Sequence, residues 1–290
     1  MVAKRLRNLR TKLRNGAARN TVRALRGHLI LRYFKSKPNW GDAINPILVE
    51  HLSGRKVVAT SEVFNLTNRP VFSVIGSVLD RSRTSNLVVW GSGFKHQGAE
   101  MAVKPRRVCA VRGPRTRAQL LAQGIECPKV YGDPALLFPR VYRPAPMSRA
   151  RIGLIPHYVD QRHPKIRDWV RSGDVRFIDV LGNVETFVDE LASSDLVVSS
   201  SLHGLIAADA YGIPSVWASF SDNVEGAGFK FADYFEAVGR PRKRFTVSAT
   251  TKPSDFEAAA SADLIDFDLS PLMLACPFGR HEQARAGLLS

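Results

Sequence analysis

Short apolar runs alternate with helical patterns along most of the chain, and this alternation constrains the fold more than any other feature. Residues 86–92 and 195–200 are rich in valine and leucine, whereas the apolar residues of 184–193 recur at helical spacing. Strands that are covered by helices on both faces appear in a sequence as such continuous apolar runs. The pattern therefore predicts an α/β fold built on parallel sheets.

The predicted strands form two groups, which suit a chain of 290 residues with 44% hydrophobic content. Strands are expected at 29–34, 55–59, 71–77, 86–92, 107–113 and 129–133, and again at 151–157, 175–180, 195–200 and 213–219. Helices are expected at 44–52, 115–123, 166–171, 184–193, 204–211 and 231–238. Residues 138–150, rich in proline and arginine, are typical of a linker. We therefore expect two Rossmann-like domains, residues 28–143 and 144–290, whose sheets face a central cleft.

Positive charge is concentrated at the N-terminus. The formal net charge is +16, yet residues 1–41 hold twelve Lys and Arg and no acidic residue. Apolar residues recur between these cations at helical spacing, at Val2, Leu6, Leu9 and Leu13. Residues 1–27 thus resemble a basic amphipathic extension that lies on an anionic membrane surface. A solvated tail or an organelle transit peptide is the alternative.

Several classes of protein are not favoured. No window approaches the ~20 apolar residues of a membrane span, and the N-terminus lacks the apolar centre of a signal peptide, so we expect a cytoplasmic protein. No DNA-reading motif accompanies the charge, so we expect no nucleic-acid partner. Cys109, Cys127 and Cys276 lack CxxC spacing, and we expect neither a disulfide framework nor a metal site.

The stretch SSSLHGLIAADAYGIPSVW, residues 199–217, places His203 between an apolar strand and an Ala-rich helix. Amides at a helix N-terminus attract an anion, the hydroxyls of Ser199, Ser200 and Ser201 add donors, and the helix dipole disfavours imidazolium. His203 could therefore act as an acid or base near neutral pH. A serine cap beside a structurally satisfied histidine fits the sequence equally well.

Three further motifs follow predicted strands. NWGDAINP supplies Asn39, Gly41 and Asp42, VRGPRT supplies Arg112, and YGDP supplies Asp133. Each aspartate could simply cap a helix or form a turn. Because the carboxyl ends of parallel strands meet at one edge of a sheet, we expect these groups to converge. Together they would supply a base for an alcohol and donors for a phosphate or carboxylate.

The ordered motifs N-x-G-D, VIGS, VWGSGF, VRGP, GDPA, S-x-LHG with a following GIP, and GFKFADYF resemble those of the polysaccharide pyruvyltransferases. They are most similar to the succinoglycan-type ketal-pyruvate transferases, over residues 36 to about 235. The resemblance implies a GT-B-like fold with an N-terminal acceptor side and a C-terminal donor side. It implies transfer of pyruvyl from phosphoenolpyruvate to a sugar hydroxyl pair of an exopolysaccharide repeat unit, giving a cyclic ketal without a cofactor. The acceptor would be a lipid-linked oligosaccharide or a polysaccharide at the inner membrane face.

The family's motif residues correspond to His203, Arg112 and Asp42. We expect His203 to be the principal acid/base, Asp42 or Asp133 to deprotonate or orient the sugar hydroxyl, and Arg112 to grip the donor. Many members carry an arginine where this chain has Ser201. Either Arg112, Lys230 and helix amides bind the phosphate, with Lys230 as the expected substitute, or donor recognition differs in this chain. The expected substrate-binding residues are Arg112, Lys230, Ser200, Ser201, Leu202, Gly204, Asn39, Gly41, Gly91 and Ser92.

Two other functions remain compatible with the sequence. A GT-B glycosyltransferase that uses a nucleotide sugar would share the architecture. The second compatible function is that of a non-catalytic binding protein, which its basic N-terminus would bring to a membrane or nucleic acid. The first would release a nucleotide rather than phosphate, and the second would function without His203.

Overall fold

The computed structural model describes residues 16–35, 38–64, 68–241, 243–260 and 264–278, which form two parallel sheets and their helices. The first sheet contains β1 (Leu29–Leu31), β2 (Val57–Ala59), β3 (Val71–Ser73), β4 (Leu87–Trp90) and β5 (Arg107–Ala110). The second contains β6 (Ala150–Ile155), β7 (Arg176–Phe177), β8 (Ser194–Ser199), β9 (Ser215–Ser219) and β10 (Arg244–Thr246). The helices are α1 (Ala17–Leu25), α2 (Trp40–Ser53), α3 (Pro114–Ala122), α4 (Pro164–Ser172), α5 (Val184–Ala192), α6 (Leu202–Ala210), α7 (Ala227–Ala237), α8 (Pro253–Ala259) and α9 (Ser270–Leu274).

Both sheets have the same strand order. The first runs β2-β1-β3-β4-β5 and the second, read from its other edge, runs β7-β6-β8-β9-β10, with every pair parallel. The order reverses between β1 and β3 in one sheet and between β6 and β8 in the other. In doubly wound sheets, ligands bind at the carboxyl ends of the strands that flank this reversal. The predicted α/β class, with two Rossmann-like sheets in a GT-B-like arrangement, is confirmed.

One apolar core continues from one sheet to the other. Trp40, at the start of α2, stacks on Phe187 of α5 with 5.3 Å between ring centroids and meets Phe138 edge-on at 5.4 Å. All three rings are almost fully buried. Burial of one such side chain stabilises a fold by about 1.5–3 kcal/mol. These contacts hold the N-terminus of α2 against the second half of the chain.

A buried ion pair joins α7 to the first sheet. Arg112 Nε donates to Asp233 Oδ2 at 3.0 Å, and both side chains are at most 1% exposed. Asp233 also accepts from the backbone N–H of Thr116 at 2.8 Å and from its hydroxyl at 2.7 Å. A Cβ at Gly113 would lie 1.8 Å from the carbonyl oxygen of Asp233, so only glycine allows this approach. Removing one partner of a buried ion pair lowers the free energy of unfolding by about 3–5 kcal/mol. The motifs VRGPRT, which contains Arg112, and GFKFADYF, which contains Asp233, therefore depend on each other for stability.

Several predicted strands are shorter in the structure, such as Val71–Ser73 within 71–77 and Arg176–Phe177 within 175–180, and two predicted segments differ in kind. Residues 129–133 are not a strand, because only an isolated bridge joins Val111 to Tyr131 and Gly132 has a φ of +132°. The linker predicted at 138–150 begins later, since a 3₁₀ helix, Pro134–Arg140, carries Phe138 into the core. The strand β10 and the helices α8 and α9 were not predicted.

The last described residues return to the first sheet. Trp90 Nε1 donates to the carbonyl oxygen of Leu272 at 2.9 Å, and the ring of Phe278 packs on Phe72 and Trp90 with centroid distances of 5.0 and 5.6 Å. The expected domain of residues 144–290 therefore includes a segment whose contacts are with the first half.

The basic extension is described only in part. Residues 1–15, which carry most of its cations, lie outside the described residues. The helix α1 is described, and its Ala17 and Ala24 are buried. The Thr21 hydroxyl of α1 accepts a hydrogen bond from the Phe64 N–H at 3.0 Å. Over the described part of the chain, helices long and apolar enough to cross a bilayer are absent.

Candidate active site

A cavity of about 360 Å³ lies at the carboxyl ends of β1, β3, β6 and β8, the four strands that flank the two reversals of strand order. Both halves of the chain line it. The first half contributes Phe34, Asn39, Asp42, Gly76, Ser77, Val78, Arg81 and Lys95, and the second contributes His157, Tyr158, Ser201, Leu202, His203, Glu225 and Lys230.

His203 is linked to Asp42 through Asn39. His203 lies in the first turn of α6, and its Nδ1 is 2.8 Å from Asn39 Oδ1. The same oxygen caps α2 by accepting the Asp42 N–H at 3.3 Å, while Asn39 Nδ2 donates to Asp42 Oδ2 at 2.7 Å. An amide oxygen can only accept, so Nδ1 of His203 carries its proton. The lone pair of the neutral ring is therefore on Nε2.

Burial moves the pKa values of His203 and Asp42 in opposite directions. Burial, with the cations Lys230 and Arg112 next in importance, lowers the pKa of His203 to about 3. Burial raises the pKa of Asp42 to about 7, against the opposing effect of backbone N–H donors. At neutral pH the imidazole is an uncharged base and a large fraction of Asp42 is protonated. At neutral pH the site thus holds an unprotonated nitrogen that can accept a proton and a carboxyl that can donate one.

Gly41 makes room for the imidazole. A Cβ at this position would lie 2.3 Å from Nδ1 of His203 and 2.4 Å from its Cγ. The motif N-x-G-D therefore has a physical basis at each position: Asn39 holds the ring, Gly41 admits it, and Asp42 holds Asn39.

The cavity also contains cations. Lys230, on α7, is 8% exposed, and its ammonium lies 5.7 Å from the centroid of the Phe231 ring. Within the described segments no carboxylate pairs with it, whereas the neighbouring Lys95 pairs with Glu225. Burial, with Arg112 and Lys95, lowers the pKa of Lys230 to about 8. A buried, charged and unpaired ammonium favours an anionic ligand.

Arg112 and Asp133 do not line the cavity. Besides Asp233, the Arg112 guanidinium donates to the Ser77 hydroxyl at 2.6 Å and to the Phe94 carbonyl oxygen at 2.7 Å. Asp133 caps the 3₁₀ helix through the Ala135 N–H at 3.0 Å, and burial raises its pKa to about 6. Arg112 therefore reaches the cavity only through Ser77, and Asp133 does not reach it.

Four other residues that were expected to bind substrate do not line the cavity. The Ser200 hydroxyl donates to Asp160 at 2.7 Å, and Ser92 shares a hydrogen bond of 2.8 Å with Ser73. A Cβ at Gly204 would lie 2.3 Å from Ser199 Oγ, and one at Gly91 would lie 2.1 Å from Pro134. Six of the expected residues do line the cavity, namely Asn39, Asp42, Ser201, Leu202, His203 and Lys230.

Sequence reasoning missed several cavity residues, of which His157 is the most informative. It ends the strand predicted at 151–157, so it occupies the same kind of strand-end position that drew attention to His203. The sequence analysis also missed Ser77, Arg81 and Lys95. They follow β3 and β4 in segments where no histidine or aspartate motif drew attention to the strand end.

Comparisons with known proteins place these residues in a family context. The model of a family described as polysaccharide pyruvyl transferase matches residues 39–222, a range that contains Asn39, Asp42, His157 and His203. An uncharacterised protein of Acanthamoeba polyphaga mimivirus is 29% identical over 262 residues, covering 86% of this chain and 88% of that protein.

Two further similarities are more limited. The succinoglycan biosynthesis protein ExoV of Rhizobium meliloti is 27% identical over 181 residues, which are 58% of this chain and 55% of ExoV. The crystal structure of a functionally uncharacterised protein from Klebsiella pneumoniae has a TM-score of 0.45 and 10% identity, covering 82% of this chain and 99% of that one.

Gly41→Ala is expected to expel the imidazole of His203 from its place on Asn39. The added methyl would overlap the ring, and overpacking of this kind costs about 1–3 kcal/mol of unfolding free energy. The Nδ1–H proton of His203, observed by NMR, should lose its protection from solvent exchange. Gly228→Ala is the matched control, since a Cβ there meets no atom within 4 Å. Retention of the protected proton in Gly41→Ala would contradict the packing described here.

Proposed function

The chain belongs to the polysaccharide pyruvyl transferase family, and we propose that it transfers pyruvyl from phosphoenolpyruvate to two hydroxyls of one sugar in an exopolysaccharide repeat unit. The product would be a cyclic pyruvate ketal and inorganic phosphate. The observation that carries this proposal is one cavity that holds a neutral imidazole, a protonatable carboxyl and an unpaired ammonium. The similarity to ExoV, named for succinoglycan biosynthesis, supports the choice of acceptor class.

The first step requires a base and an acid together. The central carbon of phosphoenolpyruvate becomes electrophilic when its methylene carbon is protonated. In our proposal Asp42 gives its proton to the methylene carbon, while His203 Nε2 takes the proton of the sugar hydroxyl whose oxygen bonds to the central carbon. The carbon–carbon double bond is consumed, and an addition intermediate that still carries phosphate results.

The second step restores both groups. The bond between the central carbon and the phosphate oxygen breaks, and the imidazolium of His203 gives its proton to the departing phosphate. A second hydroxyl of the same sugar bonds to the central carbon, and the carboxylate of Asp42 takes its proton. The ring closes and the enzyme returns to its starting protonation state. Lys230 would stabilise the negative charge that develops on phosphate.

This assignment gives different roles to three expected catalytic or binding residues. Asp42, expected to deprotonate or orient the sugar hydroxyl, becomes the acid of the first step, because burial raises its pKa. Asp133 is given no part in proton transfer, because its carboxyl is buried away from the cavity, where Oδ1 accepts the Ala135 N–H at the start of the 3₁₀ helix. Arg112 is given a positioning role, because its guanidinium orients the Ser77 hydroxyl and contributes positive charge near His203 and Lys230.

The basic N-terminal segment would hold the enzyme at the inner membrane face, where lipid-linked acceptors are presented. Each basic residue close to an anionic surface contributes about 1 kcal/mol of binding free energy. We propose no nucleic-acid partner and no metal or organic cofactor. The donor would lie on the Lys230 side of the cavity and the acceptor on the Asp42 side.

The reaction itself can be tested with phosphoenolpyruvate and a pyruvate-free oligosaccharide from an exopolysaccharide. We expect stoichiometric release of phosphate and, in heavy water, one deuterium in the methyl group of the product. His203→Ala should lower the rate by about 10²–10⁴-fold, the usual contribution of a general base. Nucleotide release from a sugar nucleotide would favour a glycosyltransferase instead, and full activity of His203→Ala would exclude the proposed mechanism.

The pH dependence of the rate follows from the two displaced pKa values. In the free enzyme His203 must be unprotonated, so kcat/KM should be limited only below about pH 3, and Asp42 must be protonated, so kcat/KM should fall as pH rises through about 7. Asp42→Asn should be slow and should lack that alkaline limb. A decline near pH 8 should remain in kcat/KM for the donor, as Lys230 loses its charge. An unchanged limb near pH 7 in Asp42→Asn would refute the assignment of the acid.

Membrane attachment can be tested by deleting residues 2–14, which leaves α1 intact. The full chain should sediment with vesicles that contain anionic lipid and not with zwitterionic vesicles, and the deletion should abolish sedimentation. Transfer to a soluble acceptor should survive in the shortened protein. Sedimentation of the shortened protein to the same extent would rule out this role.

A further inference from the structure

We propose that His157 binds the phosphate of the donor by donating a hydrogen bond from Nε2, beside the ammonium of Lys230. The identity of the ligand rests on the proposed function, whereas the anion site itself rests on the geometry. His157 would thus be a second histidine of the active site, with a role in binding rather than in proton transfer.

A buried carboxylate fixes the position of His157. The His157 N–H donates to the Ser200 hydroxyl at 2.8 Å, and that hydroxyl donates to Asp160 Oδ2 at 2.7 Å. The Asp160 N–H returns to the His157 carbonyl oxygen at 2.7 Å, and Asp160 is only 2% exposed. The Ser221 hydroxyl also donates to Asp160. Ser200 does not face the cavity, and its role is therefore to position His157, which does.

The tautomer of His157, a residue that lines the cavity, leaves its Nε2–H as a donor for a ligand. The Val159 N–H donates to Nδ1 at 3.4 Å, so the proton of the neutral ring is on Nε2. In the described ranges Nε2 has no acceptor from the protein, and the ring rests on Tyr158 with 4.3 Å between centroids. Burial, with Lys230 and Lys95, lowers the pKa of His157 to about 4 and keeps the ring neutral. A neutral donor can lie beside Lys230 without the repulsion that a second cation would add.

The charge balance of the cavity favours a dianion. Lys230 is buried without a carboxylate partner among the described residues, and Arg81 adds a further cation. Among the described residues, the acidic groups that face the cavity are Glu225, which pairs with Lys95, and Asp42, whose pKa of about 7 leaves it partly protonated at neutral pH. Ser201 supplies no charge. A phosphate would complete the set by accepting from His157 and Lys230 together.

The test compares two substitutions that differ in where they offer an N–H. The side-chain amide of His157→Gln reaches the position of Nε2, whereas that of His157→Asn reaches only the position of Nδ1. Calorimetry with inorganic phosphate and with phosphoenolpyruvate should give near wild-type Kd values for Gln and values at least about tenfold weaker for Asn, as expected for one lost hydrogen bond to a charged group. KM for the donor should rise more than kcat falls. His51→Gln, on the exposed face of α2, is the matched control and should match the wild type.

Ser200→Ala tests the same site without touching the imidazole, and it should weaken phosphate binding by a smaller factor, about two- to fivefold. Equal phosphate affinity of His157→Asn and the wild type would overturn the inference, and so would a wild-type protein that does not bind phosphate. Phosphate binding that depends on His157 in a protein that does not consume phosphoenolpyruvate would uphold the anion site and refute the proposed function. Turnover of phosphoenolpyruvate by His157→Asn with an unchanged KM would uphold the proposed function and refute the anion site at His157.

Discussion

The close approach of two helix N-termini, α2 from the first half and α6 from the second, is the constraint on which the site depends. Gly41 and the ring of His203 are too close for any side chain between them, and Asn39 bridges the remaining distance. The contact can form only if the two sheets are fixed relative to each other. The aromatic packing of Trp40 and the buried pair of Arg112 with Asp233 provide that rigidity.

The sequence predicted the parts of the site that depend on local pattern. Parallel strands, a histidine in the turn after one of them and a capping motif before α2 are all visible in short windows, and the cavity lies where the strand order reverses. The role of Arg112 could not be predicted in this way. Its acceptor, Asp233, is 121 residues away, and only the tertiary fold shows that the guanidinium is fully engaged.

The electrostatics were predicted in direction but not in cause. The sequence indicated that a helix N-terminus would lower the pKa of His203, whereas burial is the largest effect and nearby cations follow. The raised pKa of Asp42 was not foreseen, because a cap at a helix start is usually exposed and ionised. His157 was overlooked for a related reason, since its backbone is held through Ser200 by Asp160, a residue that no motif singles out.

The return of residues 270–278 to the first sheet has a mechanical consequence. The polypeptide passes between the halves twice, so a swinging motion of one half on the other would have to break the hydrogen bond from Trp90 to Leu272 and lift Phe278 from its aromatic neighbours. Wide opening of the two halves is therefore resisted. In the proposed reaction, this resistance would make the enzyme select acceptors by the accessibility of one sugar unit along the glycan rather than by the total length of the glycan.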